Sequence, residues 1–172
     1  MKYRILFAAV AALLCVSASG AAQSRIENLP SDISRSVTTY SRYTIFDDVR
    51  AQVEGSTVTL SGKVTLPIKR EELGQRIAAL AGVTALRNEI EVLPALSTDD
   101  ELRHRVARAI YGNAAFWRYA AMPAPPIRIL VEHGRVTLTG VVASEADRIL
   151  ARSLATGLGE SSLSCELRTE RE

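Results

Sequence analysis

The chain has 172 residues, of which 47% are hydrophobic and 23% charged, and its formal net charge is +2. This length allows one ordinary domain or two small ones, and the apolar content is that of a folded protein. So small a net charge, with aromatic residues at only 5%, argues against a nucleic-acid-binding surface built from a basic stripe.

The first 22 residues predict a secretory signal peptide. Lys2 and Arg4 form a basic start, an apolar run covers Ile5 to Val16, and small residues from Ser17 to Ala22 provide a cleavage region. The apolar run is short for a transmembrane helix, although an uncleaved amino-terminal anchor remains the alternative. Without the leader's two basic residues the mature chain carries 19 Lys and Arg against 19 Asp and Glu. We therefore expect a periplasmic protein, exported through a cleaved signal peptide, that is formally neutral.

After a flexible lead-in over residues 23–30, the first predicted helix begins near Ser31 and Asp32, either of which can cap it. A hairpin follows, with strands up to Val53 and from Thr57 to Val64. Pro67 suits the first turn of a second helix, which is predicted to continue to about Ala81. A third strand runs from Leu86 to Leu93, and Pro94 marks the end of this unit.

The same order returns in the second half of the chain. A helix is predicted from a capping-box-like start at Ser97 and Thr98, followed by a hairpin over residues 127–142, a helix capped by Ser144, and a strand from Leu163 to Arg168. The stretches 53–64 and 131–142 nearly repeat each other. The fold class is therefore α+β, with two tandem αββαβ domains at 31–94 and 97–170, each a small three-stranded sheet packed on two helices.

Four glycines recur at matching places in the two hairpins. They fit turn and close-packing roles, because glycine tolerates positive φ and the close approach of a backbone, and they are Gly55, Gly62, Gly134 and Gly140.

One segment breaks the repeat. The offset between copies is 69 at the first helices and 78 at the hairpins, so the second copy carries a nine-residue insertion, which falls in the loop at about 111–126. This loop holds the single Trp, one Phe and two Tyr, with a proline cluster behind them. It is the least repetitive part of the sequence.

The hairpin pattern V-x-x-G-x-V-T-L-S-G-x-V resembles the BON domain, as do Gly82-Val83 and Asn88 before a strand ending at Val92. The resemblance covers nearly everything after the leader and is weaker in the second copy, where no Asn precedes the last strand. BON domains come in tandem in exported bacterial proteins, including osmotically inducible periplasmic ones. The resemblance implies a module that interacts with phospholipid, in envelope maintenance or stress tolerance.

Catalysis is not expected. The only histidines, His104 and His133, are 29 positions apart, and no cysteine or carboxylate stands near them at metal-ligand spacing. No serine lies in a nucleophile elbow, and the glycines do not form a phosphate loop. We expect no enzyme activity, no metal and no cofactor.

The residues of the second copy also favour binding to a membrane surface. The second copy's first helix runs directly into the inserted loop, which combines cations with rings that partition at a bilayer interface. The candidate lipid-binding residues are Phe116, Trp117, Arg118 and Tyr119, supported by Arg103, Arg105 and Arg108. In the alternative interpretation the rings pack over the small sheet and the arginines form an ordinary solvated face.

A second class of function stays open. Small αββαβ units present an exposed sheet edge, which can bind an envelope protein by strand addition. Exposed rings beside the arginines favour lipid, whereas buried rings and an open edge favour protein partners.

Overall fold

A computed structural model describes residues 28–170 of the chain. The predicted signal peptide over residues 1–22 and the lead-in up to residue 27 lie outside the described residues. Residues 28–30 are helical rather than part of a flexible lead-in, because Leu29 is fully buried in the core of the first domain. The described part of this helix, α1, covers 28–38.

The first domain continues in the predicted order. Strand β1 spans Asp48–Glu54, β2 spans Thr57–Val64, helix α2 spans Pro67–Ala78 and β3 spans Ala85–Val92. In the sheet order β1-β2-β3, β1 pairs antiparallel and β3 parallel with the central β2. The alternation along β2 explains the packing, since Val58, Leu60 and Val64 point into the core and are fully buried.

The second domain repeats this architecture. Helix α3 spans Ser97–Tyr111, a short α4 spans Trp117–Ala120, β4 spans Arg128–Glu132, β5 spans Arg135–Val142, α5 spans Glu145–Ala155 and β6 spans Ser162–Thr169. The sheet order β4-β5-β6 has the same mixture of antiparallel and parallel pairing. The predicted α+β class, in two tandem αββαβ units, is confirmed.

The hairpin glycines take two different roles. Gly55 and Gly134 lie in the turns, with φ of 62° and 74°. Gly62 and Gly140 lie inside β2 and β5, with φ of 111° and 117°. A Cβ would stand 2.1 Å from the Asp48 carbonyl oxygen at Gly62 and 1.9 Å from the Pro126 carbonyl oxygen at Gly140, so both positions require close backbone approach.

Two predicted caps are wrong. Neither Ser31 nor Asp32 caps α1, because the helix already includes residues 28–30. Neither Ser97 nor Thr98 caps α3, because the helix already begins at Ser97, with Leu96 at its N-cap position and no side-chain cap. The buried Asp99 in the first turn accepts hydrogen bonds from the backbone N–H groups of His133, at 2.7 Å, and Gly134, at 2.8 Å. A first-turn carboxylate thus fixes the β4-β5 turn. The cap predicted at Ser144 is present, since its hydroxyl accepts from the Asp147 N–H.

The two domains touch through polar and apolar contacts. Lys63 of β2 reaches Glu132 of β4 with Nζ 2.6 Å from Oε2. The hydrogen bond to Glu132 raises the pKa of Lys63, and the same bond lowers the pKa of Glu132. At the other end of β4, Arg128 lies over the Tyr43 ring, 4.7 Å from its centroid. Charged and aromatic side chains from both domains therefore form the contact between them.

Candidate functional site

The insertion forms a compact element on the second domain. Asn113 caps a 3-10 helix, Ala114–Phe116, by accepting from the Ala115 N–H at 3.0 Å, and α4 follows immediately. This element packs against α3. The nine extra residues are therefore folded structure between α3 and β4, and they determine where the aromatic side chains point.

Two of the three predicted rings face inward. Phe116 is 0% exposed and Tyr119 is 3% exposed, and both belong to the hydrophobic core of the second domain. The Tyr119 hydroxyl donates to Asp147 at 2.9 Å and accepts from the Ala143 N–H at 2.8 Å. Burial, with Asp147 as a hydrogen-bond partner, raises the pKa of the Tyr119 phenol. Tyr119 thus attaches the insertion to the start of α5, and Phe116 packs beside it in the core, with the two ring centroids 5.8 Å apart.

The third ring faces outward. Trp117 is 76% exposed, the largest exposed fraction among the large hydrophobic residues that the structure describes. Its neighbour Arg118 is also exposed, but the Arg118 guanidinium is tied to Asp147 and to the Tyr119 hydroxyl. The positions 116 and 119 share one face of the turn, and the positions 117 and 118 share the other. Trp117 and Arg118 are thus held outward by the burial of their neighbours.

The three predicted arginines of α3 do not form one group. Arg103 is 3% exposed and its Nη2 donates to the Val131 carbonyl oxygen of β4 at 2.7 Å, while its Nη1 pairs with Asp100. The expectation that Arg103 lies on the solvated face of the helix is wrong, because the guanidinium satisfies a carbonyl at the edge of the sheet. It cannot reach a headgroup without breaking that bond.

Arg105 and Arg108 are exposed on α3, three positions apart and therefore on one face. The Arg105 guanidinium lies beside Gly159, where an added Cβ would approach its terminal nitrogen to 3.4 Å. Glu101 and His104 share the exposed groove along this face. The candidate residues that solvent can reach are therefore Trp117, Arg118, Arg105 and Arg108.

The sequence carried signals for two features that the prediction did not use. The spacing of Phe116 and Tyr119 is the i, i+3 spacing of one buried face, which separates them from Trp117. Asp99 is a carboxylate in a first helical turn, where backbone donors gather, as is Asp147 beside the predicted cap Ser144. The local sequence does not predict the distant residues with which Asp99 and Asp147 form hydrogen bonds.

Within residues 28–170, no group of three or more His, Cys, Asp and Glu side chains is arranged to hold a metal ion. None of the helices in the same part of the chain combines the length and the apolar character that crossing a bilayer requires.

Comparison with known proteins gives one strong similarity. A family model described as BON domain matches twice, at residues 33–94 and 98–160. The comparison with curated proteins found no match. Among solved structures, CdsD, a structural protein of the Type III secretion system of Chlamydia trachomatis, is 14% identical, with 83% of this chain and 92% of that chain covered and a TM-score of 0.31. A second structure, of the C-terminal domain of CdsD, is 13% identical, with 83% and 97% covered and a TM-score of 0.30. TM-scores this low support no inference.

Proposed function

This chain belongs to the BON domain family, and from that premise we propose that it associates reversibly with phospholipid surfaces through the insertion of its second domain. BON domains occur in periplasmic and envelope proteins and are associated with phospholipid. The finer proposal concerns where on this chain the contact lies and how strong it is.

The exposure of Trp117 carries the proposal. A tryptophan that is 76% exposed leaves most of its apolar ring in water, and an indole has its lowest free energy at the boundary between headgroups and acyl chains. The inward Phe116 and Tyr119 hold the segment rigidly, so little conformational entropy is lost when Trp117 enters the interface.

The exposed arginines of the second domain differ in what they contribute. Arg105 and Arg108 lie on an exposed helix face, and each adds on the order of 1 kcal/mol near an anionic leaflet. Arg118 contributes less, because Asp147 already neutralises it. One aromatic side chain and two or three arginines give weak binding, which matches reversible attachment rather than permanent anchoring.

Vesicle sedimentation tests this proposal. The mature protein is spun with vesicles of neutral lipid alone or with anionic lipid added, at low and high salt. We expect binding that requires anionic lipid, weakens with salt and falls several-fold in Trp117→Ala. Absence of binding under all of these conditions would overturn the proposal.

Two matched controls make the site assignment specific. Leu66→Ala removes another large hydrophobic side chain, 48% exposed, from the first domain, and we expect it to bind like the parent. Arg108→Glu is compared with Arg70→Glu, which reverses an exposed charge on α2. If both members of either pair lose binding equally, the insertion is not the site.

We propose a periplasmic location and a role in envelope maintenance or stress tolerance on the same family premise. The test is fractionation of cells that express the full chain, with sequencing of the mature amino terminus. Cleavage after Ala21 or Ala22 and recovery in the periplasmic fraction are expected.

A further inference from the structure

The outer edge of β1 carries backbone groups that face away from its sheet. The hairpin register pairs Glu54 with Thr57 next to the turn, so the N–H and C=O groups of Val49, Ala51 and Val53 point outward. The Val49 N–H donates to the Tyr43 hydroxyl at 3.1 Å. Among the described residues, Ala51 and Val53 have no hydrogen-bond partner on that side.

A groove of about 310 Å³ lies between this edge and α1. Its floor and walls are mostly apolar, with Ile33 and Val37 from the helix facing Val49 and Val53 from the strand. Pro126 and Arg128 of the second domain stand at one end of it. The groove is therefore narrow, bounded by a helix on one side and by the second domain at one end.

The corresponding groove of the second domain is already filled by the chain itself. Ala51 pairs with Leu60, and the equivalent Ile129 pairs with Leu138. The Ile129 N–H donates to the Ile45 carbonyl oxygen at 2.8 Å. Ile45 and Phe46 pack against the second core, and the Phe46 ring meets His104 of α3 edge-on, with centroids 5.2 Å apart.

Side chains satisfy two further carbonyls along this edge, one in β4 and one just before it. Arg103 donates to the Val131 carbonyl oxygen, and the Tyr111 hydroxyl donates to the Ile127 carbonyl oxygen at 2.6 Å. The position of Arg103 in α1 is taken by Ser34, whose side chain is too short to reach across the groove. The second domain thus shows what chemistry closes such a groove, namely a main-chain partner for the edge and apolar side chains for its walls.

We propose that the groove between α1 and β1 is a docking site for a short extended segment of another protein, which adds to the edge of β1 as a fourth strand. The outward groups from Val49 to Val53 match a segment of about five residues. Its alternate residues are apolar, because they face Ile33 and Val37, and its other residues are uncharged and polar, because they face solvent beside Ser34 and Thr38.

The shape of the groove selects a single strand over a second copy of this chain. In a second copy of this chain, β1 is accompanied by that copy's own α1, which would meet α1 of the first copy. Pro126 and Arg128 also block one end of the groove. Self-pairing of β1 about Ala51 would also place Asp48 opposite Glu54 twice, which is unfavourable. A separate peptide meets neither obstacle.

A labelled peptide with alternating apolar and polar residues tests the proposal. The probe has the sequence of residues 57–61 of this chain, Thr-Val-Thr-Leu-Ser, and the control has the same composition in the order Thr-Val-Leu-Thr-Ser. Fluorescence anisotropy with the mature protein is expected to show binding of the first and several-fold weaker binding of the second. No binding of the alternating peptide would overturn the proposal.

Ala51→Pro removes the outward N–H without touching the bonds between β1 and β2, because that N–H faces away from β2. We expect it to weaken peptide binding at least tenfold, whereas Ala51→Ser, which keeps the N–H, binds like the parent. Circular dichroism checks that the proline variant is folded. Equal binding by the two variants would overturn the proposal.

A second pair of variants does not depend on the proline variant folding. Ser34→Arg copies the arginine that closes the second domain's groove and is expected to weaken peptide binding. Thr39→Arg adds the same charge in the turn directly after α1, outside the groove, and is expected to leave binding unchanged. In sedimentation equilibrium we expect a monomer. A dimer that Ser34→Arg dissociates would make a second copy the occupant and overturn the assignment to another protein.

Discussion

The two domains share a topology and a hairpin register, yet they differ at the same place, the outer edge of the first strand. In the second domain this edge is closed by Arg103, by Tyr111 and by the Ile45 carbonyl group from the first domain. In the first domain the edge borders an open apolar groove. The αββαβ fold therefore does not by itself decide whether this edge is covered, because the edge is closed or left available by particular residues of the unit and of its neighbour.

The difference extends to the loops before the strands. In the first domain the segment after α1 is short, and the buried Asp47 fixes it by accepting from the Thr44 and Thr65 N–H groups, each at 2.8 Å, and from the Lys69 ammonium at 2.6 Å. That bonding presents Ile45 and Phe46 to the second domain. In the second domain the corresponding loop is nine residues longer and presents Trp117 to solvent. One loop therefore joins the domains, and the other supports the proposed membrane contact.

The largest effect on stability is expected when a ring on the inward face of the insertion is removed and compared with one on its outward face. Phe116→Ala removes a ring that is 0% exposed, and we expect the free energy of unfolding to fall by about 3–5 kcal/mol. Trp117→Ala removes an exposed ring and should change it by less than about 0.5 kcal/mol. Urea denaturation followed by circular dichroism measures both. Equal losses would mean that Trp117 is also a packing residue.

The next largest effect on stability compares the outer edge of β4 with that of β1. Arg103→Ala leaves the Val131 carbonyl oxygen without its charged donor, and we expect a loss of about 2–3 kcal/mol. Ser34→Ala, at the matching position of α1, should be close to neutral, because Ser34 is exposed. The same denaturation experiment measures the pair. A large effect at Ser34 would contradict the difference between a closed and an open edge.

A smaller effect concerns the pair that joins the two sheets. Because the pKa of Glu132 is lowered in the folded protein, its ion pair with Lys63 stabilises the fold above the usual carboxylate pKa of 4.5, and the contribution disappears as the pH falls below that value. The pKa of Lys63 is raised, so the contribution is also lost when the pH rises above 10.5. Both side chains are about one-third exposed, at 32% and 31%, so we expect less than about 1 kcal/mol.

Thermal unfolding at pH 7 and pH 3.5 measures this contribution, with Lys63→Gln as the control. The parent should lose more stability than Lys63→Gln between the two pH values. An identical pH dependence in both proteins would show that the pair adds nothing to the packing of the two domains.

The repetition and the fold were predictable because they depend on local patterns. Alternating apolar residues around Gly55 and Gly134 predict the hairpins, and the helical spacing of Leu102, Val106 and Ile110 predicts α3. All three of these α3 residues are buried in the second core. The insertion was also visible, as a change in the offset between the copies.

The site was only partly predictable, because it depends on contacts between distant parts of the chain. Arg103 looks like a solvated residue on the helix, and only the outward carbonyl group of Val131, 28 positions away, explains its burial. Likewise, Ile45 looks like a loop residue until its carbonyl group meets Ile129. The choice between inward and outward rings in the insertion follows from Asp147 and Ala143, which hold Tyr119 from α5 and the loop before it.

The most direct test of the proposed membrane contact uses the fluorescence of Trp117, which is the only tryptophan in the chain. The mature protein is titrated with vesicles containing anionic lipid, and the emission spectrum is recorded. We expect a shift to shorter wavelength and quenching by lipids brominated near the headgroup, both reversed by high salt. An emission spectrum that stays that of a water-exposed indole while the protein sediments with the vesicles would contradict it, because another surface would then hold the membrane.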